Sequence, residues 1–426
     1  MNTRKLAIKI LIDILEKGGY NNIVLKRTLE KHQQLSPMDR AFVTDLVNGT
    51  LRHVIHIDHI INQFSKTKTD RMSLLILYVL RVSVYQILFT SSGAKEAHYA
   101  SVNEAVNMVK QKQPHLAGFV NAILRNIIRN KDQIKYPKDK LEKLSIQYST
   151  SMWLIQYLSS FLTEGQVVNL CKSSIEPPQI TICVNLLKTT REQLIQDLTH
   201  AGVEAIPGNN PASVYLTKTK DISQLETFQL GHFHIMDEIS MKAVEDLSPV
   251  PDSTVYDLCA APGGKSFYTA MLMANTGQIY ANDIHPHKID LIKQGAHRLG
   301  ISTLQTSVSD ATQTHLPEHV ADYVLLDAPC SGFGTLKKKP DIKYTKTMAH
   351  IKELAALQKK ILSASVNYPK VGGDLLYSTC TVSIEENQKN MAWFLDRHDY
   401  TLIKKKQYLP ESYGDGFYTA LLKRNS

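Results

Sequence analysis

DLCAAPGGKSFYTAMLM runs from Asp257 to Met273. A β-prone run, STVYDLC, enters a Gly-rich turn, and the turn enters an apolar helical run. Glycines at such a turn let the backbone approach a ligand closely. Two nucleotide loops can be tested against this spelling. A P-loop needs GxxxxGK followed by Ser or Thr; GKS is present at Gly264–Ser266, but Cys259 stands where the first glycine belongs. A dinucleotide loop needs GxGxxG, which the stretch lacks. What remains is a nucleoside ligand without a polyphosphate, held by backbone and acidic side chains.

Acids recur beyond the loop. The strand candidates STVYDLC, QIYAND, DYVLLDA and GGDLLYS alternate in part with helical runs, the pattern of a doubly wound α/β domain. In such sheets ligands bind at the loops after the strand ends. Asp283 ends QIYAND, 19 residues after Gly264. A carboxylate there can accept both hydroxyls of a ribose. Asp310 lies in SVSDAT, placed to accept from an adenine amino group, and Asp327 ends DYVLLD. One such acid alone would be read as a helix cap. Three in series after a Gly-rich loop point to a nucleoside, and S-adenosylmethionine fits.

Two thiols fall at strand ends of the same domain, Cys330 in LLDAPCSGFG and Cys380 in YSTCTV. A lone cysteine is more often buried and inert. Sheet topology, however, can bring Asp327, Cys330 and Cys380 to one cleft. The five cysteines, at 171, 183, 259, 330 and 380, include no CxxC pair. That is neither a disulfide framework nor a zinc pattern, so reduced thiols in an intracellular protein and no metal are expected.

The 426 residues allow two or three domains. Residues 1–145 carry 23 Lys and Arg against 12 Asp and Glu, whereas the whole chain is only +9. This asymmetry marks the N-terminal part as a candidate polyanion-binding module. It reads as all helix. In MNTRKLAIKILIDILEKGG, Ala7, Ile10, Leu11, Ile14 and Leu15 recur at helical spacing, while Lys9, Asp13 and Glu16 exclude a signal peptide. LSPMDR is a helix start, with Ser36 as N-cap and Pro37 first in the helix. LLILYVL, 74–80, is too short to span a bilayer and ends at Arg81. No membrane association is expected, and a cytoplasmic location is. Residues 131–143 form a charged joint. The pattern then changes to a small α/β module containing the β-rich QITICVNLL, the capped helix TTREQLIQDLTHAG and the strand of AIPGNNPASVYLTK. The expected division is 1–140 helical, 141–240 connecting and 241–426 catalytic.

DLCAAPGGKS, LLDAPCSGFGTL, KPDI and YSTCTVSIEEN together resemble the motifs of S-adenosylmethionine-dependent RNA cytosine-C5 methyltransferases. LSPMDRAFVTDLVNGTLR and GFVNAILRNIIR resemble the helical RNA-binding domain shared with the NusB antitermination factor. The combination is similar to the Sun/Fmu-type bacterial 16S rRNA methyltransferases over nearly the whole chain. The resemblance implies an all-α NusB-like domain, a small α/β module and a Rossmann-like class I methyltransferase domain. It implies that Cys259, Ala260, Ala261, Pro262, Gly263, Gly264 and Lys265, with Asp283, Asp310 and Asp327, line the S-adenosylmethionine pocket. Cys380 would be the nucleophile and Cys330 would assist product release. Ser266 replaces the commoner Thr, and Tyr344 stands where Trp is more usual.

The chemistry explains the pattern. C5 of cytosine is a poor nucleophile until a thiolate adds to C6, which divides one hard step into two. Asp327 is the candidate to hydrogen-bond the ring near N3 and N4. A second ionisable group, Cys330, suits the later loss of the C5 proton and release of the thiol. The target base must also leave its helix. LKKKPDIKY, 336–344, is expected to grip phosphates there, and Arg4, Arg40, Arg52, Arg125 and Arg129 are candidates for distal RNA contacts. The expected partner is 16S rRNA, free or in a partly assembled subunit, and the expected state is a monomer. The alternatives are a tRNA substrate and a NusB-like binding factor whose methyltransferase domain is vestigial.

Overall fold

The computed structural model describes residues 2–90, 95–218, 221–313, 315–410 and 414–426. The chain forms two compact units, one of residues 1–177 with 336–346, the other of residues 178–335 with 347–426.

The first unit is helical. LLILYVLRVSVYQIL makes the helix Leu74–Leu88, buried from Ile76 through Ile87, as a segment apolar all round must be. The helices Thr3–Leu15, Pro37–Arg52 and Ala117–Asn130 turn their apolar stripes toward it. Ser36 caps as its position implies, its Oγ accepting from the Asp39 amide at 3.1 Å. Arg81 ends the apolar run but not the helix. Its guanidinium lies inside the unit and donates twice to Asp58, at 2.8 and 2.7 Å, the bidentate pairing a buried arginine requires. No helix among the described residues is long and apolar enough to cross a membrane.

Residues 336–346 correct one expectation. Lys337 and Lys343 are buried rather than displayed. Lys343 Nζ donates to the carbonyls of Arg52 at 3.0 Å and Tyr148 at 3.2 Å. Tyr344 Oη donates to the Leu51 carbonyl at 2.7 Å, and Asp341 accepts from the Asn21 amide at 3.2 Å. The segment therefore fills the helical unit instead of gripping phosphate with all its lysines. The carbonyls left over at helix and turn ends supply the reason, because they demand donors and an ammonium supplies three. The five arginines also separate. Arg125 and Arg129 are exposed. Arg4 donates to Gln86 Oε1 at 3.1 Å, and Arg40 makes a long 3.5 Å contact with the His32 carbonyl. Arg52 has its Nε buried without a partner.

The second unit holds two sheets. The smaller is antiparallel, with β1 (Ile180–Val184), β2 (Glu204–Pro207), β3 (Ser213–Lys218) and β4 (Phe233–Ile235) in the order β2-β3-β1-β4. Leu194 and Leu198 of the helix Arg191–His200 pack with Ile182, Val184, Val214 and Phe233. Thr190 Oγ1 caps that helix, accepting from the Gln193 amide at 3.2 Å.

The larger sheet contains β5 (Thr254–Asp257), β6 (Gln278–Asp283), β7 (Leu304–Val308), β8 (Ala321–Asp327), β9 (Pro369–Thr379), β10 (Tyr400–Tyr408) and β11 (Phe417–Arg424). Its order is β10-β11-β9-β8-β5-β6-β7. Strands β5 to β9 are mutually parallel, while β11 and β10 add an antiparallel edge. From β5 the chain moves outward to β6 and β7, then returns to β8 on the opposite side. The β5/β8 boundary is thus the topological switch point, where ligands bind at the carboxyl ends of the strands.

Candidate active site

The Gly-rich loop occupies that switch point. β5 ends at Asp257, and the helix Gly264–Leu272 begins seven residues later. The turn is closed by Gly263 N–H donating to the Ala260 carbonyl at 2.7 Å and fixed to β6 by Ala260 N–H on the Asn282 carbonyl at 2.8 Å. Gly263 has φ +108°, and a Cβ there would lie 2.4 Å from the Phe267 ring. Only glycine suits both constraints. The first amides of the helix, which lack intrahelical acceptors, border the cleft.

A cavity above the loop is lined by Cys259, Ala260, Ala261, Pro262, Gly264, Lys265 and Asp327, though not by Gly263, and also by Ile235, Met236, Asp237, Ser240 and Asp257. Asp257 is wholly buried. Its Oδ2 accepts from Ser266 Oγ at 2.6 Å, while Oδ1 has no partner. Burial pushes its carboxyl up to about 7, with Asp327 adding to the rise and Ser266 and Lys265 opposing it. Lys265 Nζ lies 2.6 Å from Asp327 Oδ2. Burial and neighbouring carboxylates raise the Cys259 thiol, which leaves it a lining group rather than a nucleophile.

Asp283, the last residue of β6, and Asp310, two residues past β7, do not line this cavity. Asp283 Oδ1 accepts from the His285 amide at 3.0 Å and faces Lys288 at 3.6 Å. Asp310 Oδ1 accepts from the Thr312 amide and hydroxyl, at 2.9 and 2.8 Å, and these bonds hold its carboxyl below the usual range. Both acids therefore carry local turn contacts.

The two thiols meet because of strand register. β8 and β9 are parallel, with Asp327 opposite Ser378. Cys330 follows the first by three residues and Cys380 follows the second by two, so both emerge at one edge. Their sulfurs are 3.2 Å apart, and both residues are half-buried. Ser378 Oγ donates to Asp327 Oδ1 at 2.9 Å. Asp327 is therefore held by Lys265 on one oxygen and Ser378 on the other. Cys330's loop is pinned by the Gly334 amide on the Cys380 carbonyl at 3.0 Å. The contact with Cys380's sulfur, then burial, pushes the Cys330 thiol well above its ordinary range. One sulfur can thus remain a proton carrier beside the other. Asp257, Asp237, Ser240 and Ser378 escaped the reading of the sequence. Ser378 stood in the quoted YSTCTV, but only strand pairing reveals that it orients Asp327. Among the described residues no group of His, Cys, Asp or Glu could hold a metal ion.

Three family models match the chain: the NusB family over residues 1–129, a Methyltr_RsmF/B-like ferredoxin-like domain over 151–223, and the 16S rRNA methyltransferase RsmB/F over 244–423. A Bacillus subtilis (strain 168) protein named "Probable ribosomal RNA small subunit methyltransferase B" is 32% identical, covering 99% of each chain. A Synechocystis protein (strain ATCC 27184 / PCC 6803 / Kazusa) of the same name is 33% identical, covering 94% of this chain and 90% of its own. The crystal structure titled PH0851 superimposes with a TM-score of 0.82 at 27% identity, covering 100% of this chain and 99% of its own. With its helical, ferredoxin-like and Rossmann-like parts in that order, the chain belongs to the RsmB/F family of 16S rRNA methyltransferases.

Proposed function

We propose that this enzyme transfers a methyl group to C5 of a cytosine in 16S rRNA through a covalent adduct between Cys380 and C6. The observation that carries the proposal is the pair of sulfurs 3.2 Å apart at the β8 and β9 ends, on the edge that also presents Asp327. S-adenosylmethionine is the methyl donor, and the cavity suits it. A buried carboxylate oxygen of Asp257 has no partner there, and Gly263 leaves the loop open to close approach. The loop lacks the glycines that cradle a polyphosphate. When bound, the donor supplies an electrophilic methyl group. We assign Cys259–Lys265, Asp283, Asp310 and Asp327 to holding it, with Asp283 and Asp310 reached by the nucleoside end.

In this reading the Cys380 thiolate adds to C6 and the displaced ring electrons make C5 nucleophilic. Asp327, fixed by Lys265 and Ser378, hydrogen-bonds the ring as charge builds near N3. After C5 is methylated its proton must be taken up as the C5–C6 double bond reforms and Cys380 is expelled. Cys330 gives its own proton to the departing sulfur and takes up the C5 proton, directly or relayed through water, so it ends protonated as it began. Residues 1–140 serve as the RNA-binding domain, 141–240 as the connecting module and 241–426 as the catalytic domain. The enzyme works as a monomer in the cytoplasm, on rRNA that is free or in a partly assembled subunit.

The test uses Cys330→Ala protein with S-adenosylmethionine and labelled 16S rRNA or tRNA on a denaturing gel. An adduct with 16S rRNA that vanishes when Cys380→Ala is added is the expected result. An adduct that survives loss of Cys380 would refute the nucleophile, and one formed only with tRNA would refute the substrate.

A further inference from the structure

Glu386 lies six residues beyond Cys380 and is wholly buried. Both of its carboxylate oxygens engage the residue after the other thiol. The Ser331 amide donates to Oε1 at 2.8 Å, and Ser331 Oγ donates to Oε2 at 2.5 Å. Gln358 Nε2 donates to the same Oε1 at 3.1 Å and to the Pro329 carbonyl at 2.9 Å. Cys330 is thus gripped on both sides of its own peptide. The Cys380 loop is tied in as well, because Thr381 Oγ1 lies 2.8 Å from Ser331 Oγ.

A buried carboxylate is costly, and folding alone does not require one where a neutral side chain would fit. This one accepts two hydrogen bonds from Ser331 and one from Gln358. We propose that Glu386 is a positioning residue for the two-thiol chemistry, setting Cys330 Sγ against Cys380 Sγ by gripping Ser331. This rests on the reading that both thiols serve the reaction. Its charge also works on Cys330. Burial raises the Glu386 carboxyl while the Ser331 bonds oppose the rise. The contact with Cys380 and burial chiefly hold the Cys330 thiol protonated, and the ionised Glu386 adds to that.

The experiment reads thiol geometry without RNA or cofactor. The full-length protein is treated with an azodicarboxamide oxidant. Two thiols lose two electrons and two protons to its N=N bond, and one Cys330–Cys380 disulfide forms. The rate is followed by mass spectrometry of the linked peptides. Glu386→Ala should slow closure about tenfold or more, since misplacement by about 1 Å costs up to about a hundredfold in a positioned reaction. In methyl-transfer assays the same change should lower kcat by a similar factor and leave KM for RNA within about twofold. Glu386→Gln should fall between, because its amide oxygen can accept from only part of Ser331's pair. Calorimetric binding of S-adenosylmethionine checks that each variant is folded. If Glu386→Ala is not, Ser331→Ala decides, since it removes one of the two bonds and should slow closure partially. Wild-type closure and kcat in the folded variants would overturn the proposal. Methyl transfer surviving Cys380→Ala would instead overturn the reading of the thiols and leave the closure result standing.

Discussion

Lys343 is wholly buried, and burial pulls its ammonium down from 10.5 to about 7, with Arg52 adding to the fall. In the unfolded chain it binds its proton up to the ordinary lysine value. Between about pH 7 and 10.5 the unfolded state therefore binds more protons than the folded one, and stability rises with pH. The slope is about 1.4 kcal/mol per pH unit. Below about 7 both states are charged, and the full penalty of roughly 5 kcal/mol is present. Lys343→Met removes that penalty and also removes the donor for the carbonyls of Arg52 and Tyr148. Each orphaned carbonyl costs roughly 1–3 kcal/mol whatever the pH. The two effects should nearly cancel at pH 6.5. At pH 9.5 the wild type should lead the variant by about 3 kcal/mol more than at pH 6.5. The other titratable groups facing Lys343 are shared by wild type and variant, so their contributions drop out of the difference. Cys171 is raised to about 11 and His53 is lowered to about 3, both chiefly by burial. Trp153 lies in the helical unit and Trp393 in the other. Urea unfolding followed by Trp153 fluorescence, in a Trp393→Phe background, therefore reports the unit that holds Lys343. A wild-type advantage that stays flat from pH 6.5 to 9.5 would refute the buried assignment and restore Lys343 as a candidate for RNA phosphate.

Asp257 has the opposite sign. Its carboxyl is raised to about 7, so folding loses stability as pH rises from about 4 to 7, and Asp257→Asn should destabilise less at pH 7.5 than at pH 5 in thermal melts. Gly263→Ala places a Cβ 2.4 Å from the Phe267 ring at φ +108°; a strain of roughly 1–3 kcal/mol at the loop should weaken S-adenosylmethionine at least tenfold by calorimetry, with the Cys330–Cys380 disulfide still closing at the wild-type rate.

The architecture was legible wherever residue pattern and backbone demand coincide. STVYDLC, QIYAND and DYVLLDA became β5, β6 and β8, and the Gly-rich turn landed at the switch point between β5 and β8. The edge pair was not among the strands read. In β10, Lys404, Lys405 and Lys406 stand in succession, which erases the alternation that marks a strand. Such lysines are what a solvent-facing edge carries against pairing with another chain. Of the acids, Asp327 lines the cavity, whereas Asp283 and Asp310 bond within their own turns. Their spacing along the chain located the strand ends, but not the direction in which each carboxylate points.

Charge was the least legible property, for a definite physical reason. Lys343, Asp257 and Glu386 are each almost wholly withdrawn from water, although hydropathy places all three residue types outside. Each is tolerated because the fold supplies particular partners: main-chain carbonyls for the lysine, Ser266 for Asp257, Ser331 and Gln358 for Glu386. Those partners come from positions 9 to 291 residues away in the chain. No local pattern can therefore announce them. A lysine run with a solvated face and one with a buried ammonium share the same spelling in KKKPDIK. What separates them is whether unpaired carbonyls await at the far end of the fold. The same argument explains the thiols. Cys330 and Cys380 are 50 residues apart, and neither neighbourhood alone distinguishes a nucleophile from filler. The parallel register that sets Asp327 opposite Ser378 brings the sulfurs together, and the buried carboxylate six residues past Cys380 keeps the loop of its partner in place.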